Sequence, residues 1–340
     1  MAPKIVVYSA KPYDQHYLKS ADGIDVEYID LPLSTQTTSL AAGADAVCIF
    51  VNDEANAAVL TALQHVGVHA ILLRCAGFNN VDLGAAERLG LFVANVPSYS
   101  PEAVAEFAVA LLQTLNRHTH RAYNRVREAN FSLEGLLGRT LRGRTVGVIG
   151  TGRIGVCFAR VMSAGFGCRV LGFDPFENDE FRRYGEYADL HAVLSAADFV
   201  SLHCPLMDAT RYIINADSLA RMKPGALLVN TSRGGLIETG ALLSALKSRH
   251  LGGVALDVYE GEGGLFYTDH SGNIIDDDLL MRLTTFHNVI MSGHQAFFTE
   301  EALQEIAVCT LSNMADFVAG RECKNELAHY QKPVAVPPRT

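Results

Sequence analysis

No stretch of the chain carries the roughly 18 or more consecutive apolar residues that a membrane-spanning helix needs, and the apolar start in MAPKIVVYSA is too short for a secretory signal. A cytoplasmic protein is therefore expected. Blocks of like charge are also missing. The formal net charge of −9 is spread over 37 acidic and 28 basic residues, so a phosphate backbone would be repelled on average and nucleic acid is not an expected partner. The seven cysteines, Cys48, Cys75, Cys157, Cys168, Cys204, Cys309 and Cys323, are odd in number and scattered, without a zinc-type spacing. Neither a disulfide framework nor a metal centre is signalled. There is no repeat of fixed period and no low-complexity segment, and only the Pro-rich residues 333–340 are expected to be disordered.

What is present is length and strand-forming sequence. At 340 residues the chain exceeds one ordinary core, so two domains are expected. Short β-rich runs, KIVVYSA, DVEYI, DAVCIFV, AILLRCA and LFVANV, are separated by helix-compatible stretches over the first hundred residues. After an amphipathic segment, SPEAVAEFAVALLQTLNR, the pattern restarts with TVGVIG, RVLGFD, DFVSLHC, GALLVNTS, GGVALDVY and NVIMSGH. Strands alternating with helices predict parallel sheets covered on both faces, hence two doubly wound α/β domains. The last element expected is a long helix, TEEALQEIAVCTLSNMADFVAG from Thr299, with no strand after it.

Gly150, Gly152 and Gly155 form G-x-G-x-x-G directly after an apolar strand and before a helical pattern. In that context the first glycine permits the tight turn, the second lets backbone approach a pyrophosphate, and the third lets helix and strand pack closely. Asp174 closes the next strand, where an acid accepts hydrogen bonds from ribose hydroxyls and repels a 2′-phosphate; NAD is the expected cofactor. Arg153 within the loop could reach a phosphate oxygen. Because this motif normally opens a nucleotide-binding domain, its arrival nearly halfway along implies that the first hundred residues are a domain of their own.

Three further polar residues stand at strand ends in the same half: Arg233 in VNTSRGG, Glu262 in ALDVYEGEGG and His294 in VIMSGHQAF. Reducing a 2-keto acid by hydride transfer needs a fixed cation for the carboxylate and carbonyl, and a proton donor for the forming alkoxide; arginine and histidine supply both. A carboxylate would hold the imidazole in one tautomer and stabilise the imidazolium. Each residue alone also has a structural reading, as cap, exposed acid or strand-end histidine, and spacing does not show that the three meet. Asp257 could serve the nicotinamide side or cap a loop.

The ordered series GTGRIG, FDP, SLHCPL, NTSRGG, DVYEGE and GHQAF resembles the signature of the D-isomer-specific 2-hydroxyacid dehydrogenases. CIFVNDEA, RCAGFNNVDL, EAVAEFA, HRAYNRVREANFSLEGL and GLFYTDHSGNIIDDDLL narrow the resemblance to the fermentative NAD-dependent D-lactate dehydrogenases. It implies that Arg233 binds substrate, Glu262 partners the histidine and His294 donates the proton. It further implies that Arg153, Ile154, Asp174, Cys204, Pro205, Thr210, Thr231, Ser232 and Asp257 line the NAD site. Ala76 and Gly77 would offer N–H groups to the substrate carboxylate, while Phe50, Tyr99 and Phe297 crowd its side chain, which suits pyruvate. The family architecture implies a discontinuous catalytic domain, 1–100 plus 297–332, around a nucleotide domain at 101–296, with the substrate in the cleft between them, and a homodimer or homotetramer. Other 2-keto acids, such as phenylpyruvate, branched-chain acids, hydroxypyruvate or glyoxylate, and an NAD-sensing corepressor role remain open on the sequence alone.

Overall fold

The computed structural model describes residues 2–19 and 23–328; the predicted disordered segment 333–340 lies outside the described residues. The chain divides into two compact units, Met1–Ser100 with Thr299–Thr340, and Pro101–Phe298. The return to the first unit thus falls at Thr299 rather than at 297. There the Thr299 side chain caps the helix Glu300–Ala319 by accepting the Ala302 N–H, so Phe297 and Phe298 stay with the nucleotide unit.

The first unit holds β1 (Lys4–Val7), β2 (Asp25–Tyr28), β3 (Ala46–Ile49), β4 (Ala70–Leu73) and β5 (Phe92–Ala94), with β13 (Glu326–Ala328) from its distal segment. Their order is β13-β5-β4-β3-β1-β2. Strands β1 to β5 pair in parallel, because each crossover runs through a helix or a helical turn. The strand β13 corrects the expectation that nothing follows the last helix. It is three residues long and antiparallel to β5, with a register shift between Glu326 and Ala328, so it carries no alternating run that a sequence pattern would reveal. The central strands are apolar on both faces: Val47 and Ile49 of β3 enter one cluster, Ala46 and Cys48 the other.

The second unit holds β6 (Thr145–Ile149), β7 (Arg169–Phe173), β8 (Glu186–Tyr187), β9 (Phe199–Leu202), β10 (Leu227–Asn230), β11 (Gly253–Leu256) and β12 (Val289–Met291). All seven are parallel, in the order β12-β11-β10-β9-β6-β7-β8. The order reverses between β6 and β9, and at such a switch point the carboxyl ends of two strands open a crevice for ligand. The helix Pro101–Arg117 packs its apolar stripe, Ala105, Ala108, Leu112 and Leu115, against one face of this sheet with Val146, Val148 and Val229. Burying each such side chain contributes about 1.5–3 kcal/mol for the larger residues. Among the described residues no helix is long and apolar enough to cross a membrane, and no group of His, Cys, Asp or Glu could hold a metal ion.

Candidate active site

The glycine turn is built by contacts that exclude any larger residue at two positions and leave the third open. Gly150 has φ +94°, and a Cβ there would lie 2.3 Å from the Cys204 nitrogen at the end of β9. A Cβ on Gly155, in the helix Arg153–Arg160, would meet the Gly150 carbonyl oxygen at 2.1 Å. Around Gly152, by contrast, nothing lies within 4 Å of such an atom. Gly152 is the N-cap of that helix and no side chain caps it, so its first N–H groups are left for a phosphate. Asp174, at the end of β7, is held in place from the turn itself: Oδ2 accepts the Thr151 N–H at 2.8 Å and Oδ1 the Phe176 N–H at 2.9 Å. Thr231, just after β10, has a buried hydroxyl without a hydrogen-bond partner among the described residues, while Ser232 donates to the Cys204 carbonyl at 2.6 Å. An open backbone cradle, a fixed carboxylate on the adjoining strand end and an unspent buried hydroxyl fit a dinucleotide.

Beyond the switch point, β10, β11 and β12 lie side by side, and each delivers one polar residue at its carboxyl end. Arg233 follows β10, half-buried, and donates through Nη1 to the Ser232 carbonyl at 2.7 Å. Glu262 follows β11. His294 follows β12, and its Nδ1 lies 2.8 Å from Glu262 Oε1. Glu262 Oε2 in turn accepts the Tyr259 N–H at 3.0 Å, which fixes the carboxylate. His294 has φ +55°, a left-handed conformation that costs a non-glycine residue of order 1 kcal/mol. Several bonds hold it there. Its N–H donates to the Asp257 carbonyl at 2.7 Å, and its own carbonyl accepts the Tyr267 hydroxyl at 3.0 Å. The fully buried Asp257 carboxylate accepts the Ser292 hydroxyl and the N–H groups of Gln295 and Ala296 at 2.7–2.9 Å. Both Asp257 oxygens are thus engaged by the loop that carries His294.

The chain is also similar to known proteins over nearly its whole length. Residues 109–296 match the family model "D-isomer specific 2-hydroxyacid dehydrogenase, NAD binding domain". A D-lactate dehydrogenase of Curvularia clavata, kk1H, is 62% identical over 331 residues, 95% of either chain. The chain belongs to this family. Among solved structures, the apo D-lactate dehydrogenase of Escherichia coli superposes with a TM-score of 0.88 at 47% identity, covering 96% of this chain and 100% of that one. The pyruvate reductase of Chlamydomonas reinhardtii superposes with 0.90 at 43% identity, covering 95% and 98%.

As a D-isomer specific 2-hydroxyacid dehydrogenase, the protein uses NAD, and the cradle around Gly152 is where its residues fit the pyrophosphate. The remaining predicted residues fall into three places. Near the cradle, Arg153 is exposed at the first turn of the helix, Ile154 packs partly into the core, and Cys204 is buried. Thr210 donates to the Pro205 carbonyl at 2.6 Å and accepts the Met207 N–H, closing the loop after β9 on itself. In the first unit, Phe50 follows β3, Ala76 and Gly77 follow β4, and Tyr99 follows β5. Phe297, in the second unit, is buried edge-on against Phe298.

One residue beside the imidazole escapes sequence reasoning. Tyr267 sits at φ +67° and places its ring 5.9 Å from the His294 imidazole, which no local pattern foretells. His203, just after β9, is packed on Phe158, with its Nε2 2.9 Å from the Ser201 hydroxyl and its Nδ1 buried without a hydrogen-bond partner among the described residues. Burial pushes its pKa down to about 3, so this imidazole stays neutral. Burial likewise pushes the Cys204 thiol up to about 12, so it is a packed apolar group rather than a nucleophile.

Proposed function

We propose that the protein reduces pyruvate to D-lactate, in the cytoplasm and as a homodimer or homotetramer. The observation that carries the chemistry is the Glu262–His294 pair at 2.8 Å, one strand from Arg233 and on the same sheet edge as the cofactor cradle. Glu262 takes the Nδ1 proton of His294 as a hydrogen bond, which leaves Nε2 as the atom that carries and delivers the proton. When His294 is charged, Glu262 stabilises the imidazolium. Arg233, its guanidinium steadied by the Ser232 carbonyl, binds the substrate carboxylate and polarises the carbonyl. Bound in the cradle, NADH supplies the hydride. As negative charge grows on the carbonyl oxygen, His294 protonates it, and Asp257 keeps the loop of His294 in register throughout.

The N–H groups of Ala76 and Gly77 are assigned to the carboxylate, and Phe50, Tyr99 and Phe297 to the substrate side chain, for which a methyl group is the proposed fit. The names of the relatives, D-lactate dehydrogenase and pyruvate reductase, support pyruvate over bulkier acids. The test is NADH oxidation, followed by absorbance, with pyruvate, phenylpyruvate, 2-ketoisocaproate, hydroxypyruvate and glyoxylate. Pyruvate is expected to lead in kcat/KM, and His294→Ala and Arg233→Ala each to lose about 10²–10⁴-fold. A different leading acid would overturn the substrate. NADH binding without any turnover would overturn the enzyme reading in favour of an NAD-sensing protein.

A further inference from the structure

The parallel strands of the first unit run in the order β2-β1-β3-β4-β5, and their switch point lies between β1 and β3. The segments leaving β1, β3 and β4 there carry Ser9, Phe50 with Asp53, and Arg74. Arg74 is only 2% exposed, an unusual place for a cation, and its partner Asp14 is 5% exposed. Its Nε donates to Asp14 Oδ1 at 3.1 Å and its Nη2 to the Ser9 carbonyl at 3.0 Å. Asp14 Oδ2 accepts the Lys11 N–H. Nη1 has no hydrogen-bond partner among the described residues, so the guanidinium is not placed to maximise hydrogen bonding. What it does instead is lie over the Phe50 ring, with its central carbon 4.9 Å from the ring centroid.

The main chain of Phe50 is held as firmly as its ring. Asp53, 1% exposed, accepts the Phe50 N–H on Oδ2 at 2.6 Å, and on Oδ1 the Ser9 hydroxyl at 2.7 Å and the Leu33 N–H at 2.8 Å. Asn80 Nδ2 donates to the carbonyls of Phe50 and Asp53. A buried ion pair adds little to stability compared with well-packed apolar residues of the same volume. It does hold a flat cation in one orientation, and the cation attracts the face of an aromatic ring.

We infer that Arg74, locked by Asp14 and the Ser9 carbonyl, is a positioning residue that fixes the Phe50 ring and so restricts the enzyme to 2-keto acids with small side chains. This rests on the reading that Phe50 bounds the substrate side chain. With the cation removed, the ring loses the contact that orients its face, and larger acids gain relative to pyruvate while the nucleotide unit is untouched.

The experiment compares wild type, Phe50→Ala, the double variant Asp14→Asn with Arg74→Met, and Arg74→Lys. The double variant removes both charges, so that neither is left buried alone; Arg74→Lys keeps the charge but loses the flat plate. The readouts are kcat and KM for pyruvate and phenylpyruvate, and the NADH dissociation constant. The phenylpyruvate-to-pyruvate ratio of kcat/KM is expected to rise about tenfold or more in the double variant, and severalfold in Arg74→Lys, with the change in KM and NADH affinity within twofold of wild type. Adding the double substitution to Phe50→Ala is expected to move the ratio no further. An unchanged ratio in Arg74→Lys or in the double variant, while Phe50→Ala shifts it, overturns the role of Arg74 alone. A wild type that reduces no 2-keto acid overturns the proposed function, and this inference with it.

Discussion

Substituting Gly152 and Gly155 by alanine separates binding from folding within one turn. At Gly152 the backbone, φ −66° and ψ −168°, is open to any L-residue, and a Cβ meets nothing within 4 Å. Two small effects then oppose each other. The alanine narrows the unfolded ensemble, which stabilises by about 0.4–1 kcal/mol. It is also a poorer N-cap than glycine, by a similar amount. The net is about zero, and the melting temperature of the ligand-free protein should stay within about 3 °C of wild type. At Gly155 the same methyl would lie 2.1 Å from the Gly150 carbonyl oxygen, a backbone atom tied into the turn by the Gly150 N–H bond to the Phe173 carbonyl. Relieving that overlap should cost about 2–3 kcal/mol, a fall of roughly 4–12 °C in a unit of this size. NADH affinity follows the opposite ranking relative to stability. The methyl of Gly152→Ala occupies the space into which the pyrophosphate must come, and losing about 2 kcal/mol there raises the NADH dissociation constant roughly 30-fold. Fluorescence titration with NADH and thermal unfolding without ligand measure the two quantities separately. A Gly152→Ala protein that binds NADH like wild type would show that the open space is not the cofactor's, and a Gly155→Ala protein that melts like wild type would refute the packing argument.

Two further expectations follow from buried groups. Asp257→Ala strands the Ser292 hydroxyl and the N–H groups of Gln295 and Ala296, each at about 1–3 kcal/mol if left unpaired. The His294 loop should loosen and kcat fall about 100-fold or more; a kcat within threefold of wild type would remove Asp257 from the mechanism. His203, whose pKa burial lowers from 6.5 to about 3, binds fewer protons folded than unfolded in acid, so its contribution is whole above about pH 6.5 and is lost as the pH falls towards 3. At about pH 5 the loss reaches up to about 2 kcal/mol. In urea unfolding at about pH 7.5 and 5, His203→Asn should reduce the acid loss by that amount, and an identical acid loss in both proteins would contradict it.

The central strands were legible because parallel strands covered on both faces are runs of apolar residues: AVCI of β3, AILL of β4 and LLVN of β10. The edge strands β8 and β13 were not, since two or three residues are too few to show a period, and only a partner already in place makes them strands. Similarly, the glycine turn was legible to the residue, because a positive φ at Gly150 and a backbone contact at Gly155 leave no other side chain possible.

Chemistry was legible only as residue types. That Arg233, Glu262 and His294 supply a cation, a carboxylate and an imidazole follows from their identities; that Glu262 and His294 share a hydrogen bond across 32 residues follows from β11 and β12 being neighbours in the sheet. The same holds for Asp257, whose carboxylate anchors the loop that carries His294 from 35 or more residues away, and for Arg74, which reaches Asp14 across 60. By itself the sequence determined what is local: which segments are strands, where the backbone must turn left-handed, and which groups can carry charge or protons. The tertiary structure decided which of those groups meet, because a hydrogen bond or a ring stacked on a cation depends on distances of a few ångströms that strand order sets and spacing along the chain does not.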